Sequence, residues 1–318
     1  MGGPARPTAR LTPRREPGFG VPPRASAARA GTSTAAPPWQ RARRSARRWA
    51  ASGVLCGALG ALVAFAPASW LAAALAARTG QRLLLTDARG TVWNGSAVAV
   101  LSGGADSRSA ALLPGRVHWR LAPSGRALEL RVLQPCCMAD AALLQLRPGL
   151  DFGLNRLSLQ LLPGRGSADH SLGEWPAAWL AGLGAPWNSL RLGGTLRLSS
   201  PGLTLHIAAG RWTLAGQAEL RLSDIDSPLT SLDRLGSYLV RLDAGQDSAD
   251  GAGGDGTPTF ALSTLDGALQ LEGKGQWTGS HWRFRGQARA APGAEAELNN
   301  LLNFLGRRQG ALSLISIG

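Results

Sequence analysis

Residues 203–222 read LTLHIAAGRWTLAGQAELRL, and their periodicity decides the fold. In Leu203-Thr204-Leu205-His206-Ile207 and again in Ala218-Glu219-Leu220-Arg221-Leu222, every second residue is apolar. An extended chain puts such residues on one face and leaves the other wet. Ala209-Gly210 between the two runs marks a turn. The same alternation recurs in Val117-His118-Trp119-Arg120-Leu121, Leu128-Glu129-Leu130-Arg131-Val132, Leu157-Ser158-Leu159-Gln160-Leu161 and Trp282-Arg283-Phe284-Arg285. Strands with one buried face belong to antiparallel sheets, because parallel strands are covered on both sides. Pro114-Gly115, Pro163-Gly164 and Pro201-Gly202 supply further short turns. The pattern predicts a mainly β, antiparallel domain over 78–318 with a few short helices. Those helices are expected from Ser227-Pro228 to Gly236, from Pro176 to Leu183, and from Glu295 to Leu305, where Leu298, Leu301, Leu302 and Leu305 share one stripe. Residues 243–258, DAGQDSADGAGGDGTP, read as a solvated loop.

Composition agrees with strands and turns. The 318 residues are 44% hydrophobic but include 42 glycines and 20 prolines, too much punctuation for a mostly helical protein. The net charge of +14 is concentrated at one end. Residues 1–48 hold eleven arginines against a single acid, Glu16, so ten of the fourteen excess charges lie there. This segment has almost no large apolar side chains and is expected to be a disordered cytoplasmic tail. A nucleic-acid reader needs basic groups on folded structure with aromatics between them, so nucleic acid is not an expected partner.

From Trp49 to Ala77 there is no charged residue. About 20 apolar residues suffice to cross a bilayer, and Trp49 and Trp70, about 31 Å apart along a helix, could sit at its two interfaces. A transmembrane helix is therefore expected over 49–67, followed by a short interfacial helix at 68–77. Arg41, Arg43, Arg44, Arg47 and Arg48 precede it. By the positive-inside rule, the N-terminus is then cytoplasmic and 78–318 is exported. Ala64-Phe65-Ala66 has the small-x-small form of a signal cleavage site, but Pro67 is a poor residue to follow a cut and the uncharged run exceeds a signal core.

Reaction chemistry is not expected. His118, His170 and His206 and His281 have no metal spacing, and Ser167, Asp169 and His170 lie too close along the chain to converge as a triad. Gly273-Lys274-Gly275 lacks the later glycine of a dinucleotide fingerprint and the ending of a phosphate loop. Asp243, Asp247, Asp250 and Asp255 do not keep EF-hand spacing. The chain thus reads as a non-enzyme with no cofactor, no metal and no small-molecule substrate. Cys56 lies in the apolar run and reads as a small hydrophobe. Cys136 and Cys137 are adjacent and exported, with no third exported cysteine, so a vicinal disulfide is one outcome, bridges to another chain a second and two free thiols a third.

The segment Pro67-Ala68-Ser69-Trp70-Leu71-Ala72, followed by TGQRLLLTDARGTVWNGSA (79–97), resembles the start of the type II secretion system protein N family. GALQLEGKGQWTGSHWRFRGQA (267–288), LNNLLNFLGRRQG (298–310) and the closing Ile315-Ser316-Ile317-Gly318 are similar to its end. The resemblance implies an inner-membrane, single-span accessory component that binds other secretion components and inner-membrane lipid. It also implies a curved periplasmic sheet similar to AsmA-like envelope proteins. Trp93, Asn94, Gly273, Gly275 and Trp277 are the candidate partner contacts, since tryptophan is enriched at binding hot spots and glycine permits close approach. The same residues also suit a turn and a core. A second function, shielding lipid acyl chains, would require an apolar groove left uncovered by helices.

Overall fold

The alternating runs hydrogen-bond side by side in a single antiparallel sheet. The structure is a computed structural model and describes residues 38–148, 156–164, 169–208, 211–245, 257–279 and 281–318. Its strands are β1 (Leu83–Gly90), β2 (Asn94–Ser102), β3 (Ala110–Leu112), β4 (Val117–Ser124), β5 (Ala127–Leu133), β6 (Ala142–Pro148), β7 (Arg156–Leu162) and β8 (Ser171–Pro176). They continue with β9 (Thr195–Ala208), β10 (Arg211–Ile225), β11 (Gly236–Ala244), β12 (Thr259–Asp266), β13 (Leu269–Trp277), β14 (Trp282–Ala290), β15 (Arg307–Gln309) and β16 (Leu312–Ile317). The sheet runs β1-β2-β4-β5-β6-β7-β9-β10-β11-β12-β13-β14-β16-β15, with β3 beside β2 and β8 beside β9. It is open: β1 and β15 end it without pairing to each other. Its β15 edge is three residues long and arginine-rich, a form that discourages further strand addition.

Register carries the alternation across the sheet. Leu205 faces Leu159 on one side and Leu214 on the other, Leu146 faces Leu128 and Leu159, and Leu242 faces Ala218 and Phe260. One face is therefore apolar from β4 to β16, while Arg131, Gln145, Gln160, Glu219, Arg241 and Lys274 stand on the other.

Three covers bury parts of the apolar face. Helix α2 (Ala68–Arg78) lays Ala68 and Leu71 against Ala97 and Trp119. Met138 and Leu172 close over Ala142. The largest cluster lies at the sheet end where β10 leads to β11 and β12 leads to β13. There α4 (Glu295–Leu305) buries Leu298, Leu301 and Leu302 against Tyr238, Leu269 and Ala288. Leu190, in the short helix α3 (Trp187–Leu190), and Ala177, in a 3₁₀ turn over Ala177–Leu183, complete it. Glu295 and Glu297 in the first turn of α4 complement its dipole.

Tyr238 donates its hydroxyl to the Leu269 carbonyl at 3.0 Å inside this cluster. Burial, with the Asp266 carboxylate adding to it, pushes the phenol far above its ordinary pKa. The folded state therefore keeps the proton where the unfolded chain would lose it. The stabilisation is complete below about pH 10 and is lost as pH climbs beyond it. Because Tyr238 is the single tyrosine, tyrosinate absorbance is expected to appear only together with unfolding in an alkaline titration. A rise before the tryptophan fluorescence changes would show that the phenol is accessible.

Several expectations need correction. Helix α1 runs Pro38–Ala64, beginning eleven residues before the expected span at 49–67 and ending before Pro67. Its uncharged part, Trp49 to Ala64, is about 24 Å long, short of the ~30 Å hydrocarbon core. No helix among the described residues is long and apolar enough to cross a membrane. The helix stops here because the next residues join the sheet: Val92 N–H donates to the Ala66 carbonyl at 2.9 Å, and Pro67 bridges to Thr91. Pro38 to Arg48, expected as disordered tail, is helical; residues 1–37 lie outside the described residues. No helix forms over 228–236. Ser227 donates to the Leu190 carbonyl at 2.6 Å, and Leu235 N–H returns to the Ile225 carbonyl at 2.7 Å, so this stretch closes a turn over the core. Asp243 and Ala244 end β11, and residues 246–256 of the expected loop lie outside the described residues.

Candidate binding surface

Trp93 and Asn94 occupy the turn from β1 into β2. The half-buried Trp93 indole donates to the Val63 carbonyl at 2.7 Å, at the end of α1, where that carbonyl also accepts the Ala66 N–H at 3.4 Å. Its own carbonyl receives Leu121 N–H at 2.7 Å. Trp93 thus ties helix end to sheet. Asn94 bonds through its backbone to Thr91 and leaves its side chain exposed.

Gly273, Gly275 and Trp277 lie at the other side of the sheet, on β13, so the structure does not bring the two groups together. The close approach these glycines permit is made by the chain itself. A Cβ on Gly275 would meet the ring of Phe260, and one on Gly273 the ring of Phe284. The two phenyl rings stack at 5.5 Å, Phe260 meets Trp282 at 5.4 Å, and Trp282 meets Trp277 at 5.5 Å. Trp212, from β10, meets Trp277 at 4.8 Å. On a flat sheet β10 and β13 would stand about 14 Å apart, so the sheet curls toward its apolar face here. Trp212, Phe260, Trp282 and Phe284 were not among the expected site residues; the alternation in Trp282-Arg283-Phe284-Arg285 marks a strand but not a cluster.

These aromatics rim the uncovered half of the apolar face. Between them and β5 run Leu128, Leu144, Leu146, Leu159, Leu205 and Leu242, all partly exposed, and the three buried clusters stop short of them. Directly behind the rim, on the opposite face, Lys274 pairs in register with Arg285, and Arg283 stands opposite Gln276. With Asp243 and Thr259 they line a depression of about 500 Å³. All three cations are exposed, and none has a hydrogen bond or salt bridge to another described residue.

Cys136 and Cys137 are joined in a disulfide in the segment after β5. Beside it the buried Gln134 accepts the Trp175 indole N–H at 2.8 Å. Of the histidines, His118, His170 and His281 are exposed and His206 is half-buried. Among the described residues no three His, Cys, Asp or Glu side chains gather where a metal could bind; Ser167 and Asp247, Asp250 and Asp255 lie outside them.

No curated protein and no solved structure compared with the chain matches it. The model of the family described as type II secretion system (T2SS), protein N, matches residues 81–314. That range opens just before β1 and closes within β16, so it takes in all of the described sheet but the last residues of β16. The chain belongs to the type II secretion system protein N family.

Proposed function

We propose that this protein serves type II secretion by binding, as an accessory component held at the inner membrane with its sheet in the periplasm. The family match from β1 into β16 carries this reading. Anchorage is supported by the apolar side chains left exposed near the N-terminus, among them Trp49 at 80%, Leu55 at 61% and Phe65 at 77%. Five arginines precede them, as the positive-inside rule expects of a cytoplasmic flank. A reporter fused after Gly80 should be active only in the periplasm. A cytoplasmic reporter, or a mature N-terminus near Pro67, would overturn the topology.

Binding without turnover is supported by the absence, among the described residues, of any gathering of three His, Cys, Asp or Glu side chains. The contact test uses Asn94→Ala with Gln276→Ala, two exposed side chains that bury nothing. Their abundance should equal that of the parent protein, within about 0.5 kcal/mol of its stability. Exported enzyme levels should fall, and in-cell crosslinks from these positions should capture secretion components. Normal secretion after removal of the whole protein would overturn the role.

A further inference from the structure

We propose that the Cys136–Cys137 disulfide is a thiol–disulfide exchange site, which accepts two electrons from a protein dithiol through attack on Cys136. This goes beyond the secretion role and does not depend on it. A bridge between chain neighbours ties no two elements of the fold together. The loop it closes holds only the two cysteines, so it removes little freedom from the unfolded chain. The segment has other fastenings. Gln134, 2% exposed, donates its amide to the Pro114 carbonyl at 2.5 Å and accepts the Trp175 indole N–H at 2.8 Å. The Gln134 backbone carbonyl receives the N–H groups of Cys137 and Met138 at 3.0 and 2.9 Å, and the Cys137 carbonyl receives Glu174 N–H at 2.8 Å. Met138 is thereby held over Ala142 and Leu172 whether or not the sulfurs are joined. The bridge is redundant for the fold and free for chemistry.

Access decides which sulfur is attacked, because exchange requires the incoming thiolate to reach it. Cys136 is exposed and Cys137 half-buried. A Cβ on Gly115 would stand 3.6 Å from Cys136 Sγ, so the glycine leaves that side of the atom uncovered. Pro135, Ala139 and Asp140 are exposed as well, and a protein surface can reach the segment. The opened form also has its place: Cys136 Sγ lies 3.0 Å from the Pro114 carbonyl oxygen, to which a Cys136 thiol can donate. In the reaction a thiolate of the incoming protein attacks Cys136 Sγ, the S–S bond breaks, and its electron pair leaves on Cys137 Sγ, which takes up a proton. The second thiolate of the incoming protein then attacks its own sulfur in the mixed disulfide and releases Cys136, which is protonated in turn. Cys136 and Cys137 gain two electrons and two protons, and the dithiol becomes a disulfide. A dithiol completes both steps within one encounter, whereas a single thiol needs a second molecule.

The test uses the full chain carrying Cys56→Ser, which leaves the pair as its only cysteines. The chain is purified in detergent without reductant, treated with diamide to complete the bridge, and mixed under native conditions with excess reduced thioredoxin, a small protein dithiol. Alkylation and mass spectrometry should find two new thiols on the folded chain, with one thioredoxin oxidised per chain. A bridge that opens only in denaturant, or a diamide product made of interchain dimers, would overturn the proposal. Thioredoxin whose second cysteine is replaced by serine stops at the mixed disulfide. Peptide mapping should place that adduct on Cys136 several-fold more often than on Cys137; equal shares would overturn the assignment of the attacked sulfur. Cys136→Ser with Cys137→Ser should unfold at the same denaturant concentration as the oxidised chain, and Gln134→Ala at a lower one. A double variant that unfolds as early as Gln134→Ala would make the bridge a structural one and overturn the proposal.

Discussion

Leu301→Ala is expected to destabilise the folded domain by about 2 to 5 kcal/mol, the range for truncating a buried leucine whose surroundings close only partly. Leu301 is 1% exposed and sits between Leu298 and Leu302 in the cluster that α4 builds over β13 and β14. Collapse of the cavity is hindered on both sides. Ser313 donates to the Leu302 carbonyl at 2.7 Å and pins the helix end, while the Tyr238 hydroxyl fixes the floor through the Leu269 carbonyl. Phe304 on the same helix is 48% exposed, so Phe304→Ala should change stability by no more than about 0.5 kcal/mol. Denaturant unfolding followed by tryptophan fluorescence reads both. Similar losses for the two variants would mean that α4 is held by its whole surface and not by its inward stripe.

The stripe on α4 was legible because it is local: Leu298, Leu301 and Leu302 are spaced to share a helix face in any context. The strands were legible for the same reason. Period-two runs such as Leu203 to Ile207 and Ala218 to Leu222 fall within β9 and β10 and turn their leucines to one face. What failed depended on distant partners. The uncharged run from Trp49 announces an apolar helix but not its end, which is set where Ala66 and Pro67 meet Val92 and Thr91, a pairing that nothing in the run itself announces. Ser227-Pro228 is a sound helix start, but the Ser227 hydroxyl is claimed by Leu190, thirty-seven residues away. The aromatic rim joins Trp212 to Trp277 only because the sheet curls, and curl has no signature in alternation. Trp277 and its glycines were singled out for close approach by a partner. The approach is real, and the rings that make it belong to Phe260 and Phe284.

Gly275→Val puts that assignment at risk and is expected to cost about 1 to 3 kcal/mol, the usual penalty for forcing atoms into a filled space. The cost arises from packing and not from backbone strain: Gly275 lies within regular β13, paired to Phe260 on β12 and Phe284 on β14. A side chain there pushes the Phe260 ring off Phe284, whose planes now stand within 7° of parallel, and loosens its contact with Trp282. β-branched residues favour strands, so local propensity alone predicts that the change should help. The two arguments therefore give opposite signs. A lowered unfolding midpoint, with secretion falling only in step with protein abundance, means the glycine shapes the rim. Unchanged stability with weakened secretion would mean that a partner makes the close approach. If the midpoint falls, Phe260→Ala in the same chain should recover part of the loss, because it removes the ring with which the valine collides. Addition of the two losses would show that they do not share that space.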